Sequence, residues 1–204
     1  MTAGRVLLLR HGTTDWNNGG RFQGHADIPL NAEGVALAER TAAALARYRP
    51  TRVISSDLAR ARETANLAAA AAGLEVEIDP RLREVDVGSW AGLDMETVGR
   101  MEPDFWPALQ EGRDFRRSPE GETATESGER VAAALREYAA EGSPDDVLLA
   151  VGHGLSLRVG ALLLMGLNYS YARLLGGLAN CGWIVMEPGE LFWHMRAYNR
   201  TAPA

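Results

Sequence analysis

Val6-Leu7-Leu8-Leu9-Arg10-His11-Gly12-Thr13-Thr14-Asp15-Trp16-Asn17 is the stretch that decides how the rest of the chain is read. The apolar run 6–9 has the length and composition of a strand buried on both faces, and it stops abruptly at Arg10, His11 and Gly12. A titratable, nucleophilic imidazole therefore stands at the C-terminal end of a strand, where open α/β sheets bind ligands. The guanidinium beside it makes an anion the expected visitor.

Working outward, three more runs read as strands buried on both faces or nearly so: 52–55, 75–78 and 147–151. Helical patterns lie between them. Val35, Ala38, Ala42 and Leu45 recur at spacings of three and four, with Asn31 placed as an N-cap before Glu33. Leu58, Ala61, Ala65 and Ala68 repeat the pattern, and Gly73 suits the left-handed residue that closes a helix. Val131, Leu135 and Tyr138 mark another helix ending near Gly142-Ser143-Pro144, while 155–165 is apolar on most sides, as in a helix deep against a sheet. Later, 182–187 and 191–198 flank Pro188-Gly189-Glu190 and read as a hairpin. Alternating strands and helices predict a three-layer, doubly wound α/β fold. Its sheet is mostly parallel with one antiparallel strand added late, and helices cover both faces. Residues 1–204 are expected to form a single domain with a lid-like excursion at about 94–122. There Pro103, Pro107 and Pro119 mix with aromatics and charges, and a loop or short-helix path over the sheet's edge is expected.

Composition narrows the function. With 46% hydrophobic and 24% charged residues the chain is ordinary for a soluble globular protein. A net charge of -6 argues against a general nucleic-acid or anionic-membrane surface, yet leaves room for a small basic pocket. All 21 basic residues are arginine, so lysine Schiff-base chemistry and a lysine phosphate clamp are excluded. Cys181 is the only cysteine, and no base or thiolate stabiliser stands beside it in sequence. It reads as a small buried apolar residue. The run 6–9 is too short for a signal-peptide core and 155–167 too short for a bilayer span, so a cytoplasmic location is expected.

His11 and His153 share one context, each following an apolar run and preceding glycine. Two imidazoles at the ends of parallel strands would converge in one crevice. His25 sits in a polar turn and reads as solvated; His194 reads as a strand residue. A two-histidine metal site is disfavoured, because zinc usually takes a third protein ligand and no HxH or HxxxH spacing occurs. Arg60 falls in the first turn of a helix after the second strand, where a cation opposes the helix dipole, so helix stability does not explain it. An anion clamp does. Arg62 instead reads as a surface arginine paired with Glu63 or Asp57. Two carboxylates, Glu84 and Asp86, precede a glycine-and-tryptophan turn, and position alone does not choose between them.

Arg10-His11-Gly12-x-Thr14-x-x-Asn17 resembles the signature of the histidine phosphatase superfamily, the phosphoglycerate-mutase-like proteins. Ser55-Ser56 with Arg60-Ala61 and Thr64-Ala65, Leu82-Arg83-Glu84 with Gly88-x-Trp90-x-Gly92-Leu93, and Val151-Gly152-His153-Gly154 match its later blocks in order. So do Asp27-x-Pro29-Leu30 and Pro119-x-Gly121-Glu122, and the resemblance runs from Arg5 to about Cys181. It implies a phosphoglycerate-mutase-like fold and a metal-independent phosphomonoesterase. His11 would be the nucleophile, attacking with one ring nitrogen while the other donates to a backbone carbonyl. Arg10, Arg60 and His153 would surround the phosphoryl oxygens. Asn17, Gln23 and Gly24 would supply neutral donors, and the Leu155 amide one more. Glu84 would protonate the leaving oxygen and then activate water, its protonated form favoured by the bound dianion. Asp86 becomes structural. No metal or cofactor is required, and the expected partner is a small phosphate ester. Nucleic-acid and membrane partners are not expected; a homodimer is left open.

The departures from the family pattern point to its phosphatase branch. Thr13 stands where many relatives carry Glu or Gln, Leu155 where mutases usually have asparagine, and the mutases' lysine after the Glu84 block is missing. The stretch between Glu84 and His153 also looks shorter than in mutases, which must hold their intermediate away from water. Arg113, Arg116 and Arg117 pull the other way, because mutases carry an arginine pair in this region. A solvated cluster balanced by Glu111, Asp114 and Glu120 is the plainer expectation. Phe22, Trp90, Phe105 and Trp106 are expected to pack the excursion before lining a leaving-group side. The alternatives carried forward are a cofactor-dependent phosphoglycerate mutase and, last, a non-catalytic phosphate-binding module.

Overall fold

Six strands, β1 (Arg5–Arg10), β2 (Arg52–Ser55), β3 (Val76–Ile78), β4 (Val147–Gly152), β5 (Trp183–Glu187) and β6 (His194–Arg200), form one sheet in the computed structural model, which describes residues 2–203. Their order is β3-β2-β4-β1-β5-β6. The first four run parallel, and β5 alone is reversed, antiparallel to both β1 and β6. The predicted mostly parallel sheet with one antiparallel strand is what forms.

The winding explains the two covered faces. Between β1 and β2 runs α2 (Ala32–Leu45), after the short α1 (Asp15–Asn18), and α3 (Ala59–Ala72) joins β2 to β3. These steps carry the chain to one edge. Its return to β4 passes through α4 (Met95–Met101), α5 (Phe105–Glu111) and α6 (Ala124–Ala140), and α7 (Gly154–Leu164) follows β4. Because parallel crossovers keep one hand, reversing direction puts the return helix on the other face. Residue alternation along the strands matches. Val6, Leu8, Leu148 and Ala150 pack with Val131, Leu135, Leu157 and Ala161 of α6 and α7. Leu7, Leu9, Leu149 and Val151 pack with Ala42, Leu45, Ala61 and Ala65 of α2 and α3.

Two expectations need correction. Val35 is 37% exposed, and the buried stripe of α2 is Gly34, Ala38, Thr41, Ala42 and Leu45. The helix is rotated because its first turn is seated on the loop after His11. Strand β3 is not buried on both faces: it is an edge strand paired only with β2, and Glu77 and Ile78 are exposed. Within 94–122 the expected short-helix path forms, as two short helices followed by an irregular return. Asp94 caps α4 by accepting from the Thr97 amide at 2.7 Å. Val87, Trp90, Val98 and Phe105 form a third small core there, flanked by Phe22 and Phe115. Phe105 and Trp90 are thus packing residues, whereas Trp106 is 42% exposed. No helix among the described residues is long and apolar enough to cross a membrane.

The seat of α2 needs two glycines facing one another. A Cβ on Gly12 would come within 2.6 Å of the Gly34 carbonyl oxygen, and one on Gly34 would overlap the Thr13 backbone. Asn31 locks the seat, accepting from the Gly34 amide at 2.9 Å while its own amide donates to Thr13 at 3.0 Å. Replacing Gly34 by alanine is expected to cost about 1–3 kcal/mol through this overlap. Val35→Ala, one residue away on the exposed side, should stay within about 0.5 kcal/mol. Guanidinium-chloride unfolding midpoints of the two variants check the contrast.

Candidate active site

The register of β1 on β4 places Arg10 opposite Gly152, so the next residues, His11 and His153, emerge side by side at the C-terminal end of the sheet. Their ring centroids are 5.1 Å apart, and both rings are buried. The His11 amide donates to the Gly152 carbonyl at 3.0 Å, which extends the pairing by one residue. His11 Nδ1 lies 2.7 Å from the Gly12 carbonyl oxygen. A carbonyl only accepts, so Nδ1 carries the proton and Nε2 keeps its lone pair. His153 Nε2 shares a hydrogen bond with Ser56 Oγ at 3.0 Å, across the end of β2.

Two buried guanidiniums flank the pair. Arg60, 1% exposed in the first turn of α3, donates to the carbonyls of Ala26 at 2.7 Å and Gly24 at 2.8 Å. Arg10 donates to the Leu178 carbonyl at 2.6 Å. Neither forms an ion pair among the described residues. Burial is the main influence on Arg60 and pushes it down to about 10 against the pull of Glu84 and Asp27. Burial likewise lowers Arg10. The imidazoles feel the same surroundings: burial first, then Arg10 and Arg60, holds His11 well below the usual histidine range. For His153 burial is followed by Arg60, His11 and Arg10 in the same direction. Both rings are neutral at neutral pH. Among the described residues, Nε of Arg10, Nε of Arg60 and Nδ1 of His153 are buried without a hydrogen-bond partner. Orphaned buried polar atoms are rare in native structures, and two of these three belong to guanidiniums on one cavity wall, which suits a polar ligand.

Glu84 faces this cluster from the loop after β3. Its carboxylate accepts from the Leu155 amide at 3.2 Å and the Ser156 amide at 3.0 Å, capping α7, and from the Val85 amide at 2.9 Å. A cavity of about 220 Å³ opens between these parts, and Arg10, His11, Asn17, Gln23, Gly24, Arg60, Glu84 and Leu155 all line it. Asn17 is set by a capping box: its Oδ1 accepts from Thr14 N at 3.1 Å and from Asn180 Nδ2 at 3.2 Å, leaving its NH2 as the free donor. Gln23 is anchored through Oε1 by Thr14 Oγ1 at 3.1 Å. A larger groove of about 550 Å³ lies elsewhere, between Arg5, Arg47, Tyr48, Trp183 and Arg200, but neither histidine nor carboxylate lines it.

Of the residues assigned to the site from sequence, His153 is the one that does not reach the cavity wall; it stands beside His11. The Leu155 amide lines the cavity but already donates to Glu84. His25 is not simply solvated: its Nε2 donates to the Glu84 carbonyl at 2.8 Å and its Nδ1 lies 3.5 Å from Asp86. Asp86 accepts from the Gly88 amide at 2.9 Å in a turn. Arg62 bonds the Asp57 carbonyl at the surface. Burial pushes the Cys181 thiol up to about 11, so it stays protonated. Among the described residues no group of three or more His, Cys, Asp and Glu side chains is placed to hold a metal ion.

Several contributors were not evident from sequence. Arg21, Val85, Val87 and Arg117 complete the cavity wall with Phe22. Arg113 and Arg116 pair with Asp104, Glu111 and Glu126 on the surface, whereas Arg117 is 5% exposed, stacked on Phe115 at 4.2 Å and paired with Asp114 at 3.2 Å. Nothing in the sequence separates it from its neighbours. Arg130 did leave a signal: on α6 it falls one turn from Ser127 and Ala134 on the buried side, a cation where the helix turns inward.

Comparison with known proteins agrees with this geometry. The profile of the histidine phosphatase superfamily (branch 1) matches residues 6–201. Curated relatives include "Probable phosphoglycerate mutase GpmB" of Proteus mirabilis, 34% identical over 92% of this chain and 93% of that protein. The protein of the same name from Serratia proteamaculans is 35% identical, with 92% and 93% covered. Among solved structures, mycobacterial glucosyl-3-phosphoglycerate phosphatase in complex with VO3 superposes with a TM-score of 0.89 at 31% identity, covering 97% of this chain and 99% of that one.

The depressed imidazoles make stability depend on pH. In the unfolded chain each ring takes up a proton near pH 6.5, whereas in the folded chain it does so only well below that value. The unfolded state therefore binds more protons below about pH 6.5, and the stabilisation, fully present above it, is lost as pH falls. The loss is expected to be on the order of 1 kcal/mol per imidazole per pH unit. Urea unfolding at pH 7.5 and 5.5 measures it, and His153→Gln should show the smaller drop between the two.

Proposed function

Because the chain belongs to the histidine phosphatase superfamily, we propose that it is a metal-independent phosphomonoesterase that hydrolyses small phosphorylated metabolites through a phosphohistidine at His11. The observation that carries this reading is the state of His11 itself. A buried ring is tied by Nδ1–H to a carbonyl, kept neutral by its surroundings, and placed on a cavity wall between two guanidiniums. A lone pair on Nε2 is then available at neutral pH.

In the first step Nε2 attacks phosphorus, the phosphorus–oxygen bond to the leaving group breaks, and protonated Glu84 gives its proton to the departing oxygen. In the second, Glu84 takes a proton from water, the oxygen attacks phosphorus, and the phosphorus–nitrogen bond breaks to return neutral His11 and inorganic phosphate. Arg10 and Arg60 stay charged throughout and stabilise the spreading negative charge on the phosphoryl oxygens. Asn17 and Gln23 add neutral donors, and His153 acts from beside His11. The guanidiniums fill the role that a divalent cation plays in other phosphoryl-transfer sites, so no metal is invoked. The segment 94–122, which contributes Arg117 to the wall, is proposed as the cover of the cavity.

The second reading, a phosphoglycerate mutase, is favoured by one feature: Arg117, buried at the wall, suits a carboxylate on the substrate. Relatives named for a mutase and for a phosphatase of a glycerate ester fit a substrate of that kind. The phosphatase reading is preferred because Leu155 replaces the usual mutase asparagine and the mutase lysine is absent.

Three measurements test these statements. In EDTA the protein should release phosphate from p-nitrophenyl phosphate, and His11→Ala should lower kcat by about 10³-fold or more. Acid-labile, base-stable phosphate trapped on the wild type during turnover and absent from His11→Ala identifies the intermediate. With 3-phosphoglycerate as substrate, release of inorganic phosphate without accumulation of the 2-isomer is expected. Isomerisation without release would transfer the assignment to the mutase.

A further inference from the structure

Every donor of the Arg130 guanidinium is engaged, three of them by the segment that carries Glu84 and two by Glu122. Nη1 donates to the carbonyls of Arg81 at 2.8 Å and Arg83 at 2.7 Å; Nη2 donates to the carbonyl of Glu84 at 2.7 Å. The remaining two N–H groups hold Glu122, Nε to Oε1 at 3.0 Å and Nη2 to Oε2 at 2.8 Å. The segment needs these bonds: beyond the one-turn 3-10 helix Pro80–Leu82 it lies in no strand, so its carbonyls have no sheet partner. Glu122 closes the clamp from the other side. Its Oε2 accepts from the Asp86 amide at 2.9 Å, and its own amide donates to the Asp86 carbonyl at 2.8 Å. Burial pushes the Glu122 carboxyl up, but Arg130 and the Asp86 amide outweigh it and hold it below the usual range.

We propose that Arg130, held by Glu122, is the positioning residue for Glu84, fixing the main chain on both sides of it so that the carboxyl reaches the leaving-group oxygen. This rests on the assignment of Glu84 as the proton donor. Arg130 touches no substrate. It belongs to α6, whose Val131, Ala134 and Leu135 are fully buried, so the clamp ties a segment without strand pairing to the helix core. His25 adds a second donor to the same Glu84 carbonyl. Lysine cannot substitute, because an ammonium has three donors and no planar fork, whereas three carbonyls and a carboxylate must be met at once.

The test separates positioning of a proton donor from general structural support. Phosphate monoesters that differ only in leaving group, p-nitrophenyl against alkyl, are compared by kcat/KM, which reports the steps through formation of the phosphoenzyme. A nitrophenolate departs without a proton and an alkoxide needs one. Arg130→Lys should therefore lower kcat/KM for the alkyl ester about tenfold more than for the nitrophenyl ester, and Glu122→Gln should act in the same direction. Glu84→Gln sets the scale and should show the steepest dependence. If Glu84→Gln lowers both esters equally, the proton-donor assignment is wrong and the proposal falls with it. If Glu84→Gln is selective but Arg130→Lys and Glu122→Gln lower both esters equally, or lower neither, Arg130 is not a positioning residue. Thermal melts identify a variant that fails to fold, and the other variant then decides.

Discussion

The parallel pairing of β1 with β4 is the constraint on which everything else depends. It brings His11 beside His153 from opposite ends of the sequence, and it fixes Arg10 in the same step. The consequence is electrostatic. Two imidazoles and two guanidiniums are taken out of water within one cluster, and Glu84 is the only carboxylate on the cavity wall among the described residues. Such a cluster would be costly if its charges were bare. Backbone carbonyls of Leu178, Gly24 and Ala26 hold the guanidiniums instead. A carbonyl dipole orients a guanidinium without cancelling its charge, so the site keeps a positive field that a carboxylate partner would have quenched.

Glu84 is held by different helices at its two ends. Its main chain is fixed by Arg130 of α6, and its carboxylate accepts from the first amides of α7. A helix N-terminus favours negative charge, so the carboxylate sits where α7 also attracts any anion in the cavity. The Leu155 amide cannot serve both equally. The backbone clamp keeps residue 84 in place whichever way its side chain points. On the proposed assignment, a fixed main chain lets the Glu84 carboxyl pass a proton without the segment shifting.

The fold and the center of the site were legible in the sequence for the same reason: both are written in local patterns. Four apolar runs, each ending in hydrogen-bonding residues or glycine, gave the parallel strands, and matched contexts around His11 and His153 gave the crevice. Arg60 was legible because its charge opposes the helix it begins. What was not legible depends on contacts between segments far apart in the chain. The rotation of α2 comes from Gly34 meeting the loop after His11, which no periodicity within α2 encodes. Arg117 differs from Arg113 and Arg116 by its burial against Phe115 and its pairing with Asp114. Glu122 stands in a recognised block and Arg130 on the inward side of α6, but that the two meet over the segment 81–86 is written in neither pattern. His25 read as solvated because a turn hides its distant partner, the Glu84 carbonyl.

On the reading proposed here, hydrolase and mutase share their first half-reaction and differ in what meets the phosphohistidine next. That choice cannot lie with His11, Arg10 or Arg60, which serve phosphoryl transfer in either case. It lies with the rest of the wall, where Phe22, Val85 and Val87 are apolar and Arg21 and Arg117 are charged. A mutase must bind its acceptor there more tightly than water competes, and the means is charge aimed at the acceptor's carboxylate. Arg117 is partly spent on Asp114, and Leu155 brings no side-chain donor to the α7 end of the wall. On the proposed hydrolase reading, these two features weaken the hold on a second acidic group and leave the phosphohistidine to the small acceptor that needs no holding, which is water.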